Sequence, residues 1–219
     1  MGRRVTNRTT TPASPDGAAT QSKRYLERRA KLVEGAHRVF ERDGFIDARI
    51  TDIAKEVGLA HGSFYTYFSS KEEIFRVVAE QIQAEMFDGQ RGGSADLTPY
   101  QRIEAANRRY LESYRRHSRI MAIIEQVSTF NDDIHKIRES RAQQTMSRTE
   151  RSIRRLQADG FADPDLDPHL SAVALTSMLS RFAYLWMGAD AGPDYEFDLD
   201  AAVDGLTRLW ANAIGLKKD

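Results

Sequence analysis

The chain has no cysteine. That absence excludes a disulfide framework, thiolate metal sites and a cysteine nucleophile. No apolar run approaches the roughly 18 residues a membrane span needs, so no membrane association is expected. The basic N-terminus lacks the apolar core of a signal peptide, and a cytoplasmic protein is the resulting expectation. Also missing are a His-Glu-x-x-His pair, a glycine-rich phosphate loop and a histidine cluster, so nothing is seen to carry catalysis. No enzyme, cofactor or metal site is expected. Strand-like alternation and internal repeats are absent as well. Net charge is also absent, since 32 Lys+Arg balance 32 Asp+Glu.

The distribution of charge is more informative than its sum. Arg3, Arg4, Arg8, Lys23, Arg24, Arg28, Arg29 and Lys31 face only Asp16 and Glu27 at one end, while Asp190, Asp194, Glu196, Asp198, Asp200 and Asp204 form an acidic stretch near the other. Such asymmetry suggests that the first end meets phosphate. Residues 1–21, rich in Thr, Pro, Ala, Gly and Arg, show no hydrophobic periodicity. They read as a disordered basic arm, either a solvated leader or a segment lying along phosphates or in a minor groove.

Everything after Ser22 has helical periodicity, predicting an all-α protein of about nine helices. Leu32, Ala36, Val39 and Phe40 share one face of a first helix that Gly44 ends. In Ile50–Lys71, Ile53, Ala54 and Val57 make a short amphipathic helix, Gly58 stops it, and His61–Phe68 gives one to two further turns. Ser70-Lys71-Glu72-Glu73 fits a capping box opening a fourth helix. Two helices joined by a tight glycine turn are a helix-turn-helix, whose second helix enters the major groove. Phe40, Phe45, Ile53, Val57, Leu59, Phe64 and Phe68 would form the core of this three-helix bundle, assigned to residues 22–71.

Residues 72–219 read as a second, helical domain for ligand binding and dimerisation. Thr98-Pro99 and Asp167-Pro168 mark helix starts, and Asp132 or Asp133 is expected to cap the long charged helix that Gly160 ends. Tyr110, Tyr114, Met121, Phe130, Met178, Phe182 and Trp186 are core residues or the lining of an apolar pocket between helices. Arg109, Glu125 and Arg181 are polar handles for a ligand or ordinary ion pairs. Asp132 and His135, three apart, read as a surface pair. The last two helices are too apolar for a monomer surface, which predicts a self-complementary four-helix dimer interface.

The run Gly44-Phe45, Ile53-Ala54, Val57-Gly58-Leu59, Gly62, Tyr65, Phe68, Lys71-Glu72 resembles the tetracycline-repressor-like (TetR) family of transcriptional regulators, over about Lys31–Val78. Beyond Val78 only the helical layout is similar. The resemblance implies a homodimeric regulator, most often a repressor, released from a palindromic double-stranded DNA operator by a small apolar effector. The alternative is a DNA-binding protein of the same fold controlled by a protein partner or acting in nucleoid organisation. It further implies that His61–Tyr67 is the recognition helix, with Gly62 permitting close approach, Ser63 bonding a base edge or phosphate, and Thr66 offering a hydroxyl and a methyl that touches thymine. Tyr65 and Tyr67 would offer hydroxyls to phosphate or else pack on the first helix, and Lys71 would be a phosphate anchor. The chain departs from the pattern at Ala48 and Ala60, where relatives carry hydroxyls. Asp47 is then expected to supply the missing cap, Arg49 a charged phosphate contact, and His61 a contact to phosphate or guanine.

Overall fold

The computed structural model describes residues 15–88, 96–188 and 197–217, and every regular element among them is a helix. In chain order these are α1 (Pro15–Asp47), α2 (Ile50–Glu56), α3 (His61–Phe64), α4 (Lys71–Asp88), α5 (Pro99–Arg116), α6 (Ser118–Ser128), α7 (Asp132–Ala158), α8 (Pro168–Met187) and α9 (Leu199–Ala213). The expected all-α class and helix inventory are what the described residues form. Residues 1–14 of the expected arm, the loop at 89–95, and Asp190, Asp194 and Glu196 of the acidic stretch lie outside the described residues. The helix expected from Ser22 begins earlier, at Pro15, because a proline's fixed φ suits the first helical position.

α1 forms the spine of the N-terminal half. Leu32, Ala36, Val39 and Phe40 recur on its inner face and are fully buried. Gly44 leaves helical geometry at φ 75°, ψ 173°, and Phe45 turns back against Phe40 and Phe75 with ring centroids 5.9 and 4.8 Å away. Gly35 stands in the interior of α1, where glycine costs about 1 kcal/mol relative to alanine. Its reason is the crossing with α2: a Cβ there would lie 2.5 Å from Val57 Cγ1. Overpacking of this kind costs about 1–3 kcal/mol, more than the helix propensity regained. Gly35→Ala is therefore expected to lower the calorimetric Tm, and a raised Tm would show that Val57 can step aside.

Packing does not stop at the end of the helix-turn-helix. Ile74, Phe75, Val78 and Ile82 of α4, Ile120, Ile124 and Val127 of α6, and Ile134 of α7 share one core with Leu32, Phe40, Ile53, Phe64 and Phe68. α1 thus packs on α2, α4 and α6 at once. A second core joins the end of α4 (Met86) to α5, α8 and α9, and a third joins α7 to α8 and α9.

Several caps differ from expectation. Asn131, not Asp132 or Asp133, caps α7, its Oδ1 accepting from the backbone N–H groups of Asp133 and Ile134 at 3.1 Å each. Its extended backbone places the amide oxygen over the first turn, whereas the two aspartates are already helical. Asp47 does not cap α2, because α1 runs through it; Arg49 takes the cap position with no side-chain bond. Ser70 Oγ does accept from Glu73 N–H at 3.1 Å, but Glu73 reaches back one residue further than expected, to the Ser69 N–H at 2.6 Å and its hydroxyl at 2.7 Å. These bonds, the backbone one foremost, hold the Glu73 carboxyl below its ordinary range.

α8 bears on the membrane expectation. His169, Ser171, Thr176, Ser177, Ser180 and Arg181 interrupt its apolar residues, so no unbroken run exists. By length and composition alone, however, it is apolar enough to cross a membrane, and little of it is buried within the chain. Leu170 on α8 and Leu209 on α9 are 67% and 56% exposed.

Candidate nucleic-acid interface

α2 and α3 are held at a fixed angle by a short closed turn. Gly58 adopts φ 69°, the left-handed conformation that ends a helix at least cost in glycine, and Leu59 N–H returns to Ala54 C=O at 2.8 Å. Ile53, Ala54 and Phe64 anchor both helices in the core. The opposite side of α3 and the turn after it then faces solvent. His61, Gly62, Tyr65 and Thr66 are exposed, while Ser63 and Tyr67 are half-buried. The Tyr65 ring stands edge-on to His61 at 5.5 Å and is 53% exposed. A Cβ on Gly62 would meet nothing within 4 Å. No described neighbour in the chain demands glycine there.

The two tyrosines differ. Tyr67 stacks on Tyr25 of α1 with centroids 4.9 Å apart, so its ring packs on the first helix. Arg29, on the same helix, sits over the Phe68 ring at 4.6 Å and keeps a positive charge beside the turn that follows α3. Arg49 is exposed at the start of α2. On the far side of α2, Arg38 and Arg42 hold Glu56 at 2.9 and 3.4 Å. The Arg38 hydrogen bond, foremost, keeps that carboxyl below its ordinary range. The charges of Arg38 and Arg42 are therefore engaged within the chain.

Lys71, expected as a phosphate anchor, has its partners within the chain. Its Nζ donates to the backbone carbonyls of Phe45, Ile46 and Ala48 at 2.7, 3.1 and 2.9 Å and lies 4.7 Å from the Phe45 ring centre. An ammonium has three N–H donors, and all three are used. The carbonyls it binds are those left open where α1 ends and the chain turns into α2. A cation there also meets the negative end of the α1 dipole.

The C-terminal half contains a cavity of about 960 Å³ bounded by α4, α5, α6, α7, α8 and α9. Of the pocket residues expected from the sequence, Tyr110 and Met121 line it. Burial, foremost, pushes the Tyr110 phenol well above its ordinary range, so it stays protonated. Tyr114, Glu125, Phe130, Met178, Phe182 and Trp186 do not line it, each for a visible reason. Tyr114 is buried in the second core. Glu125 forms an ion pair with Arg138. Phe130 is 57% exposed and lies against Phe45, 6.4 Å away. Met178 fills the junction of the second and third cores. Phe182 and Trp186 stack on each other at 5.7 Å and on Phe197 at 5.3 and 6.1 Å. The wall they were expected to form is instead the polar face of α7, including Arg141, Thr145, Arg148, Ser152 and Arg155. The sequence signal for it was arginine recurring every seven residues, about two helical turns. Of the handles, Arg109 lines the cavity, whereas Arg181 is exposed and sits over the Tyr184 ring at 4.9 Å.

Comparison with known proteins agrees with this geometry. The profile of the bacterial regulatory proteins of the tetR family matches residues 32–78. The chain is 43% identical over 54 residues to YfiR, an uncharacterized helix-turn-helix-type transcriptional regulator of Bacillus subtilis, covering 25% of this chain and 26% of that one. It is 24% identical over 197 residues to the helix-turn-helix-type transcriptional regulator TtgR of Pseudomonas putida, covering 84% and 91%. In fold it is similar to a transcriptional regulator from Rhodococcus sp. Rha1, with a TM-score of 0.70 at 18% identity, covering 87% of this chain and 99% of that one. It is likewise similar to the fatty acid degradation regulator FadR of Bacillus halodurans, at 0.69 and 18%, covering 86% and 97%. Residues 32–78 of the chain thus carry the helix-turn-helix of the tetR family of bacterial regulatory proteins.

Proposed function

We propose that the chain is a cytoplasmic, homodimeric repressor that reads an inverted-repeat operator and is released from it by a small molecule bound in the C-terminal cavity. The observation that carries this reading is the double duty of α4. Its first half contributes Ile74, Phe75 and Val78 to the core that holds the recognition turn. Its second half contributes Gln83 and Met86 to the cavity wall. α6 does the same, with Ile120 and Ile124 in the core and Met121 at the cavity. A ligand that repacks the cavity moves the recognition turns and changes their separation across the two-fold axis. Dimerisation through α8 and α9 would cover the apolar surface those helices leave open. The competing reading, control by a protein partner without an effector, calls for a filled domain; a cavity of about 960 Å³ is at the upper end of small-molecule sites.

In this reading Arg49, His61 and Tyr65 meet phosphate or base edges, Gly62 lets the backbone approach, and Ser63 and Thr66 read bases. Tyr67 contributes its hydroxyl while its ring stays on Tyr25. Selection from a random double-stranded library, followed by fluorescence anisotropy, tests it. An inverted repeat should emerge. Tyr65→Phe should weaken all sequences by about tenfold, the cost of one charge-assisted hydrogen bond, whereas Thr66→Ala should relax preference at one position per half-site. Recovery of no sequence preference at physiological salt would overturn the reading.

A further inference from the structure

We propose that the cavity takes an amphiphilic organic anion, with Arg109 holding its head group. The inference rests on the effector-site reading above and names the chemistry of that ligand. A neutral chain has no reason to gather cations, yet six arginines line this cavity (Arg102, Arg109, Arg138, Arg141, Arg148 and Arg155) against two carboxylates, Glu139 and Asp159. Arg138 is already neutralised by Glu125, which also leaves it bonded to Ser128 Oγ at 2.7 Å. Arg109, Arg141, Arg148 and Arg155 have no carboxylate in salt-bridge range among the described residues.

Two buried donors at the cavity also lack a partner among the described residues. Arg109 Nε on α5 and Trp210 Nε1 on α9 are buried from solvent with no hydrogen-bond acceptor in reach. Leaving a donor unsatisfied away from water is costly, and both residues line the cavity. A carboxylate, sulfonate or phosphate supplies two or more acceptor oxygens and the missing charge together, and arginine's planar fork matches it. Met86, Tyr110, Met121 and Leu179 on the same walls suit an apolar body. The α7 arginines, spaced about 10 Å apart along the helix, raise the local concentration of anions around the cavity.

The neutral and cationic arms separate this inference from the reading on which it rests. Decanoate, 1-decanol and decylammonium, each below its critical micelle concentration, would be titrated by calorimetry into the full-length protein and into its operator complex. Decanoate should bind at least tenfold more tightly than decanol and release DNA, with decylammonium weakest. Arg109→Met should abolish that preference and, by removing a buried unpaired donor, raise the Tm of the ligand-free protein. Arg109→Lys should keep part of the preference, which shows that charge and not folding is being read. Equal or tighter binding of decanol or decylammonium, with release of DNA, overturns the anion assignment and leaves the effector site standing. Binding of none of the three, with DNA retained, counts against both.

Discussion

Lys71→Met is expected to lower the Tm by about 5–10 °C while leaving the salt dependence of DNA binding unchanged. The magnitude follows from the partners of the ammonium: three carbonyls at 2.7–3.1 Å and the Phe45 ring at 4.7 Å. Hydrogen bonds to a charged group contribute about 1.5–3 kcal/mol each. The turn is partly open to water, which can replace the lost donor at some of the carbonyls, so a net loss of about 2–3 kcal/mol is expected. For a chain of this length each kcal/mol is worth roughly 2–4 °C. DNA affinity should fall too, because the corner that Lys71 pins sets the start of α2. Its logarithmic slope against salt should not, because an ammonium whose three N–H groups bond carbonyls has none left for a phosphate. A Tm unchanged with a slope reduced by about one would restore Lys71 to the role of anchor.

Leu209→Lys should convert a dimer into a monomer and cost about 100-fold or more in operator affinity. Leu209 is 56% exposed in the single chain, so the folded monomer should tolerate the change within about 0.5 kcal/mol. In a two-fold interface built from α8 and α9 the same change acts twice, and the introduced ammonium groups face a surface that otherwise excludes water. Separating the half-sites removes the effective-concentration advantage of bivalent binding, which is worth about 10²–10⁴. Sedimentation velocity gives the oligomeric state and circular dichroism the fold. A variant that remains dimeric would place the interface on another face.

The helix-turn-helix was legible because its determinants are local. Gly58 terminates α2, Ile53, Ala54 and Val57 recur at helical spacing, and Ser70 caps α4. Features that depend on what lies across a gap were not. A position in a motif identifies Lys71 but does not tell whether a carbonyl or a phosphate stands within reach. The aromatics of α8 read first as core, though a cavity would draw on the same set, and Phe182 and Trp186 stack on each other and on Phe197. The polar stripe of α7 reads as a solvated face, since charged residues on a long helix usually are, and only the packing of α4, α5 and α8 reveals a hollow behind it. Gly35 was readable in principle, because glycine inside an otherwise strong helix calls for a neighbour too close to admit a methyl group.

The core shared across α4 and α6 has a consequence for DNA itself. If occupation of the cavity and engagement of the operator draw on alternative positions of the same buried side chains, the coupling is reciprocal. Whatever factor the effector removes from operator affinity, the operator removes from effector affinity. A promoter-bound copy would then ignore concentrations of effector that already saturate free copies, and the response threshold of a cell would rise with the number of operators it carries.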